Sequence, residues 1–331
     1  MLKRNLIIIS FAAIVIANGC NSPNKNNNSI QLKKVTVSQA FQHLLYIGLY
    51  VAKDGGFFQN QGLDVNIQTA GGDAQAFAAL TSGSADFAQG DPAFVAIGHE
   101  KGWDGRVIVM AVDRVAIWGV TFDTTIHPFT DPIGFKGKTV ATYPDPNTSY
   151  VVQKQLAQKA GLELGKDVKI LQVPFGSELA TLKNGQANIA QTDEPNVTRV
   201  ELQGGKIVFS YPDAWGPLAF TGVMVSKKMI DNDPETVQKF VNAYEQALQY
   251  IQTNPDSAIK IVKKYLPDLQ EDIIRTALKR LTSSNCIPAH AEINPVSWEN
   301  LLKIRVEVGD LKAMPTEILY DNSFAIKARN H

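Results

Sequence analysis

The chain has 331 residues, with 32 basic against 32 acidic side chains and two cysteines. That length suits one large or two medium domains, each with its own core. The even charge balance argues against nucleic acid as a partner, and Cys20 and Cys286 alone give no disulfide framework.

Lys3 and Arg4 precede an apolar run, Leu6–Ile16, that is shorter than the ~20 residues a bilayer span needs. Residues 1–19 therefore read as a secretory signal peptide. Cys20 follows Gly19, which resembles the lipidation site of bacterial lipoproteins, where the cysteine carries the lipid and becomes the new N-terminus. Ala17 and Asn18 depart from the usual pattern, so an ordinary signal with an incidental cysteine is the alternative. Residues 20–32 read as a polar, disordered tether that would hold the folded body at a lipid bilayer through Cys20.

Lys34–Ser38 reads as a first strand, followed by a helix over Phe41–Lys53 that Gly55-Gly56 stops. Leu63–Thr69 alternates as a strand, and Ala74–Thr81 is a short helix. Val107–Val112 and Ala116–Thr121 are apolar strands, and a crossover to a second domain is placed near Thr130-Asp-Pro. Beyond it come a strand at Thr139–Thr142, a helix over Tyr150–Ala160 capped by Asn147 or Thr148, and a strand at Val168–Val173. Lys206–Ser210 and Phe220–Ser226 are further strands, read as returning to the first domain. Asn232-Asp-Pro-Glu235 starts a helix whose apolar face is Val237, Phe240, Val241, Tyr244, Leu248 and Ile251. Helices over Pro255–Tyr265, Gln270–Leu281 and Val296–Val308 are expected to wrap the first domain.

One stretch occurs twice. Leu80–Pro92 reads LTSGSADFAQGDP, and Leu182–Pro195 reads LKNGQANIAQTDEP. Leu80, Gly83, Ala85, Ala88, Gln89 and Asp91 fall on Leu182, Gly185, Ala187, Ala190, Gln191 and Asp193, and one extra residue, Glu194, precedes the second proline. Each copy reads as a helix ending at a left-handed glycine, a short buried strand, then an acid and a proline opening a new helix. Upstream, Lys34–Val37 echoes Lys138–Ala141 and Ala52–Phe58 echoes Ala157–Leu162. The pattern is that of two similar α/β domains with Asp91 and Asp193 at the carboxyl ends of strands, where ligands bind in open α/β sheets.

Leu49–Phe58 (LYVAKDGGFF), Gly62-Leu-Asp-Val, Leu80–Asp86, Gly134–Val140 (GFKGKTV) and Asp193-Glu-Pro, in that order, resemble the substrate-binding proteins of ABC importers. The family meant includes sulfonate-, nitrate- and thiamine-precursor-binding members, and the likeness spans residues 34–310. It implies an α/β periplasmic-binding-protein fold with two lobes, each a mixed sheet flanked by helices, closing on a ligand in the cleft between them. The expected division is residues 33–131 with 225–331 as one lobe and 132–224 as the other. It also implies a monomer that hands a small molecule to a membrane permease, with no cofactor and no metal. A sensor role for the same fold stays open.

Strand ends and helix starts nominate the cleft residues. From the first lobe these are Gln42, His43, Gly72, Asp73, Asp91 and Trp118. From the second they are Tyr143, Asn147, Thr148, Ser149, Gly176, Ser177, Asp193, Glu194 and, on a loop, Trp215. Hydroxyls and N–H groups at Asn147–Ser149 and Gly176–Ser177 suit an anion. The acids with the aromatic rings suit a flat, nitrogen-bearing molecule such as an aminopyrimidine thiamine precursor, which is the favoured ligand. Asp91, Asp193 and Thr148 are equally compatible with helix capping, and the two tryptophans with packing. No His-Glu-x-x-His, Cys-x-x-Cys, Gly-x-Ser-x-Gly or Walker sequence is present, and the five histidines are scattered, so a binding protein is expected rather than an enzyme.

Overall fold

The computed structural model describes residues 31–330, so the signal, Cys20 and most of the tether expected at the N-terminus lie outside the described residues. Ten strands form two sheets. They are β1 (Lys33–Gln39), β2 (Leu63–Thr69), β3 (Phe87–Gly90), β4 (Gly105–Arg114), β5 (Ile117–Thr121), β6 (Thr139–Thr142), β7 (Lys169–Gln172), β8 (Ile189–Asp193), β9 (Lys206–Ser210) and β10 (Pro217–Ser226). One sheet has the order β2-β1-β3-β10-β4 and the other β7-β6-β8-β5-β9. In the first, β1 runs parallel to β2 and β3, while β10 runs antiparallel to β3 and β4. The second repeats this, with β6 parallel to β7 and β8, and β5 antiparallel to β8 and β9. This is the two-lobed fold of mixed sheets flanked by helices that the sequence implies.

The duplicated stretch supplies the middle strand of each sheet. In each copy the preceding helix, Asp73–Thr81 or Glu178–Lys183, ends just before a glycine with φ +77° (Gly83) or +69° (Gly185). A side chain at either place would be strained, which is why glycine recurs. The strand that follows is buried along its whole length in both copies.

The chain changes sheets twice: between β4 and β5, through Val115-Ala116, and between β9 and β10, through the short helix Tyr211–Trp215. These crossings come earlier than the divisions expected at 131/132 and 224/225. Ile117–Thr121 belongs to the second sheet and Pro217–Ser226 to the first. Both strands are the antiparallel fourth member of their sheet and largely buried, and a mostly apolar run does not say which sheet it joins.

The expected helix over Phe41–Lys53 starts later. His43 is extended (φ −145°, ψ 153°) and its Nδ1 accepts the Leu45 N–H at 3.3 Å, capping a tight turn, Leu44–Tyr46, ahead of the helix Ile47–Asp54. Phe41, Gln42 and His43 are thereby left on the loop at the carboxyl end of β1. Helix Pro234–Thr253 buries Val237, Phe240, Val241, Tyr244, Leu248 and Ile251 in the core beside the first sheet, on the expected face. The later helices do not all wrap the first lobe. Glu271–Ser283 also leans on Asn196–Leu202 of the second, and Pro295–Glu307 packs on both β10 and the helix Thr148–Lys159. Among the described residues no helix is long and apolar enough to cross a membrane.

Candidate functional site

Between the carboxyl ends of the two sets of parallel strands lies a cavity of about 40 Å³. Residues on the first sheet's side are Phe41, His43, Leu45, Tyr46, Asp73 and Asp91, with Phe220 and Thr221 from β10. The second sheet's side supplies Tyr143, Asn147, Phe175 and Asp193. The two sides touch, so the cleft is closed around a space for a few waters.

Asp73 opens the helix that follows β2. Its Oδ1 accepts the Asp91 N–H at 2.8 Å, and its Oδ2 accepts an Asn147 Nδ2–H from across the cleft at 2.9 Å. The carboxylate can sit there because residue 90 is glycine: a Cβ on Gly90 would lie 2.6 Å from Asp73 Oδ1. Burial, and then the charge of Asp91, raise the Asp73 carboxyl to about 7.

Asp91 is buried and fully engaged. Its Oδ1 accepts the Ala93 N–H at 2.9 Å, the first N–H of the helix Ala93–Glu100, whose N-cap residue is Pro92. Its Oδ2 accepts from the Thr148 N–H at 3.1 Å, the Thr148 hydroxyl at 2.5 Å and Arg305 Nη2 at 2.7 Å. Arg305 is 0% exposed; its Nη1 donates to Asp310 Oδ2 at 2.7 Å and to the Pro146 carbonyl. A carboxylate and a guanidinium buried this deeply persist only when each satisfies the other.

The second copy of the repeat is built differently. Helix Asn196–Leu202 is tied by Glu194, the extra residue, whose Oε2 accepts the Thr198 N–H at 3.1 Å and whose Oε1 accepts the Thr198 hydroxyl at 3.0 Å. Glu194 is held by Arg280 and does not line the cavity. Asp193 is thus relieved of capping and faces the cleft. Its Oδ1 lies 3.3 Å from His43 Nε2, an ion contact without hydrogen-bond alignment, and makes no aligned hydrogen bond. Beside it, Glu178 Oε1 accepts from Thr192 Oγ1 at 2.8 Å, Asn196 Nδ2 at 3.0 Å and Tyr143 OH at 3.3 Å, while buried Glu178 Oε2 has no partner. Burial, then the Asp193 charge, raises the Glu178 carboxyl. For His43, burial alone pulls the imidazole pKa down, but Asp193, Glu178 and Glu194 together outweigh it and leave it raised.

Aromatic rings close the mouth. Phe41 and Phe175, one from each side, stack at 4.1 Å between centroids with 12° between planes. His43 meets Phe175 edge-on at 5.6 Å, and Tyr143 packs on it at 4.9 Å.

Of the sequence-nominated residues, the fold brings His43, Asp73, Asp91, Tyr143, Asn147 and Asp193 to the cavity wall. Thr148 stands behind Asp91, and buried Ser149 donates its hydroxyl to Asn147 Oδ1 at 2.8 Å. Gln42 and Gly176 lie in an outer pocket that shares His43 and Phe175 with the cavity. Gly72 caps the helix of Asp73, and Ser177 precedes the helix of Glu178 with its hydroxyl on the Pro174 carbonyl. Trp118 is a correction: it is 3% exposed and packed in the core, because β5 lies between β8 and β9 and the ring turns inward. Trp215 is another: it lines a separate pocket with Lys159, whose ammonium sits 4.9 Å from the ring centroid. Phe41 and Phe175 line the cavity, and Glu178 and Arg305 hold its wall residues Tyr143 and Asp91; sequence reasoning passed over all four. The one available signal was an arginine in the last turn of an otherwise packed helix.

A sequence profile for the family described as "NMT1/THI5 like" matches residues 44–258. The chain is similar to the Bacillus subtilis protein YtlA, 26% identical over 302 residues and covering 89% of this chain and 90% of that one. It is also similar to the riboflavin-binding protein RibY of Chloroflexus aurantiacus, 21% identical over 291 residues, covering 82% and 80%. Among solved structures, the ligand-binding component of an ABC-type import system from Staphylococcus aureus superposes with a TM-score of 0.71 at 11% identity, covering 89% of this chain and 99% of that one. The periplasmic aliphatic sulphonate binding protein SsuA of Escherichia coli does so at 0.68 and 15%, covering 84% and 91%. With its fold that of the periplasmic binding proteins and its profile match spanning well over half its length, the chain belongs to the NMT1/THI5-like family.

Proposed function

We propose that this chain is the extracytoplasmic ligand-binding subunit of an ABC importer, closing its two lobes on a small, flat, nitrogen-bearing molecule and presenting it to a permease. The favoured ligand is an aminopyrimidine precursor of thiamine. One observation carries this reading. Asp73 and Asp193 line the cavity beside a cross-cleft pair of phenylalanine rings, Glu178 is bonded to the wall residue Tyr143, and among the described residues, of the three wall acids Asp73, Asp91 and Asp193, only Asp91 has an arginine within 4.0 Å. Carboxylates with free lone pairs accept hydrogen bonds from amino groups and protonated ring nitrogens, and the rings take the flat faces. Of the named relatives one is a riboflavin-binding protein, one a component of an ABC-type import system and one a sulphonate binding protein; the first supports a flat ring and the second the import role.

A sulfonate, nitrate or bicarbonate ligand fits less well. The N–H groups it would need are occupied: that of Thr148 by Asp91, that of Ser149 by the Asn147 side chain, that of Ser177 by the Pro174 carbonyl. The same reading makes the chain a monomeric carrier, not a catalyst, exported and held to a membrane by lipid on Cys20.

The test is a thermal-shift panel on residues 30–331 with aminopyrimidines, riboflavin, sulfonates, nitrate and bicarbonate. A ligand at 100 times its Kd adds about 2.7 kcal/mol to the folded state. A shift with an aminopyrimidine, recovered unchanged afterwards, supports the reading. A shift with sulfonate or inorganic anions alone would overturn it.

A further inference from the structure

The cavity is acidic, but the pocket outside it is not. That outer pocket, about 480 Å³, adjoins the cavity through His43 and Phe175. On its wall stands Arg199, half-buried, in the helix Asn196–Leu202. Its Nη1 makes one long hydrogen bond, to Asn196 Oδ1 at 3.4 Å. The two acids nearest to it in the chain, Glu194 and Glu201, are both taken by Arg280. Among the described residues no carboxylate lies within 4.0 Å of the Arg199 guanidinium. Asp268, across the pocket, is exposed to solvent, where its charge is screened. A guanidinium partly withdrawn from water and without a counter-ion attracts an anion, and its fork suits phosphate or carboxylate oxygens.

We propose that the ligand is bipolar: a donor-bearing ring in the acidic cavity and an anionic substituent, a phosphomonoester or carboxylate, running past Phe175 to Arg199. This rests on the reading of the inner cavity given above and adds the second half of the ligand. It makes Arg199 the residue that selects rings with an anionic substituent over neutral ones.

The experiment compares hydroxymethyl-aminopyrimidine with its phosphomonoester by calorimetric titration on the wild-type body, Arg199→Gln and Arg199→Lys. The expected result is that the phosphomonoester binds wild type about tenfold or more tighter than the alcohol. Arg199→Gln should erase that advantage while binding the alcohol as wild type does. Arg199→Lys should keep part of it, and added salt should shrink it in the wild type. If the alcohol binds as well as the phosphomonoester, or if Arg199→Gln weakens both equally, the inference is wrong and the inner-cavity reading survives. If neither compound binds, the inner-cavity reading fails and the inference falls with it.

Discussion

Asp91 and Asp193 end equivalent strands of the two repeats, yet Asp91 is bound to Arg305 at 2.7 Å and Asp193 meets only a histidine, His43, at 3.3 Å. The difference traces to one inserted residue. In the first copy the acid accepts the first N–H of the next helix as well as lining the cleft. In the second Glu194 takes a first-turn N–H of the next helix, that of Thr198, and Asp193 lines the cavity without one. One repeat thus ends in an acid tied across the cleft and the other in an acid that faces the cavity without a cation of its own beyond His43.

Asp193→Asn removes the charge and keeps the shape. Aminopyrimidine affinity is expected to fall by about 1.5–3 kcal/mol, the range for hydrogen bonds to charged groups, with unfolding little changed. Titration calorimetry measures it, and unaltered affinity would remove Asp193 from the site.

Arg305→Met leaves Asp91 and Asp310 without their cation. A buried charge stripped of its partner costs about 3–5 kcal/mol, so the variant should unfold at markedly lower urea than wild type. A loss under about 1 kcal/mol would mean that Asp91 is held by Thr148 alone.

Gly90→Ala drives a methyl against Asp73 Oδ1. The carboxylate must leave the Asp91 N–H, at a cost of about 1–3 kcal/mol. In an Asp73→Ala background the same change should cost far less, and a double-mutant cycle on urea unfolding checks the coupling.

The raised Asp73 carboxyl sets a pH dependence. Between the ordinary carboxylate range, near pH 4, and about pH 7, the folded body keeps a proton that the unfolded chain has lost. The contribution of this group is greatest at the acid end and is lost as pH rises through that window. Asp73→Asn should flatten this part of the stability profile of the ligand-free body, and an unchanged slope would place the titration elsewhere.

Cys20→Ser should release the exported protein from the membrane fraction if the cysteine carries lipid. Cell fractionation with an antibody to the body decides it: a variant that still sediments with membranes is anchored some other way.

Local chemistry was legible in the sequence. The glycine that ends each repeat helix, the strand behind it and the acid at its tip follow from conformational preferences a few residues long, and the same reading of strand ends and helix starts nominated His43, Asp73, Asp91 and Asp193, which line the cavity. Partners set far apart were not. Arg305 reaches Asp91 across 214 residues, and nothing near either residue announces the other. Phe41 read as one face of a helix until the His43 side chain displaced the helix start. Trp118 read as a cleft ring because a five-residue strand buried on both faces has no periodicity to say which way a side chain points.

The exchange of strands between the sheets also fixes an order of assembly on the ribosome. All five strands of the second sheet lie within residues 117–210, a continuous stretch. The first sheet begins at Lys33 but lacks the strand that joins β3 to β4 until Ser226 has been made. The half that starts later is thus the half that can finish first. In the interval β3 and β4 have unpaired edges, the condition in which a nascent chain pairs with a neighbour. A truncation ending near residue 215 should leave a second sheet with all its strands and a first that aggregates.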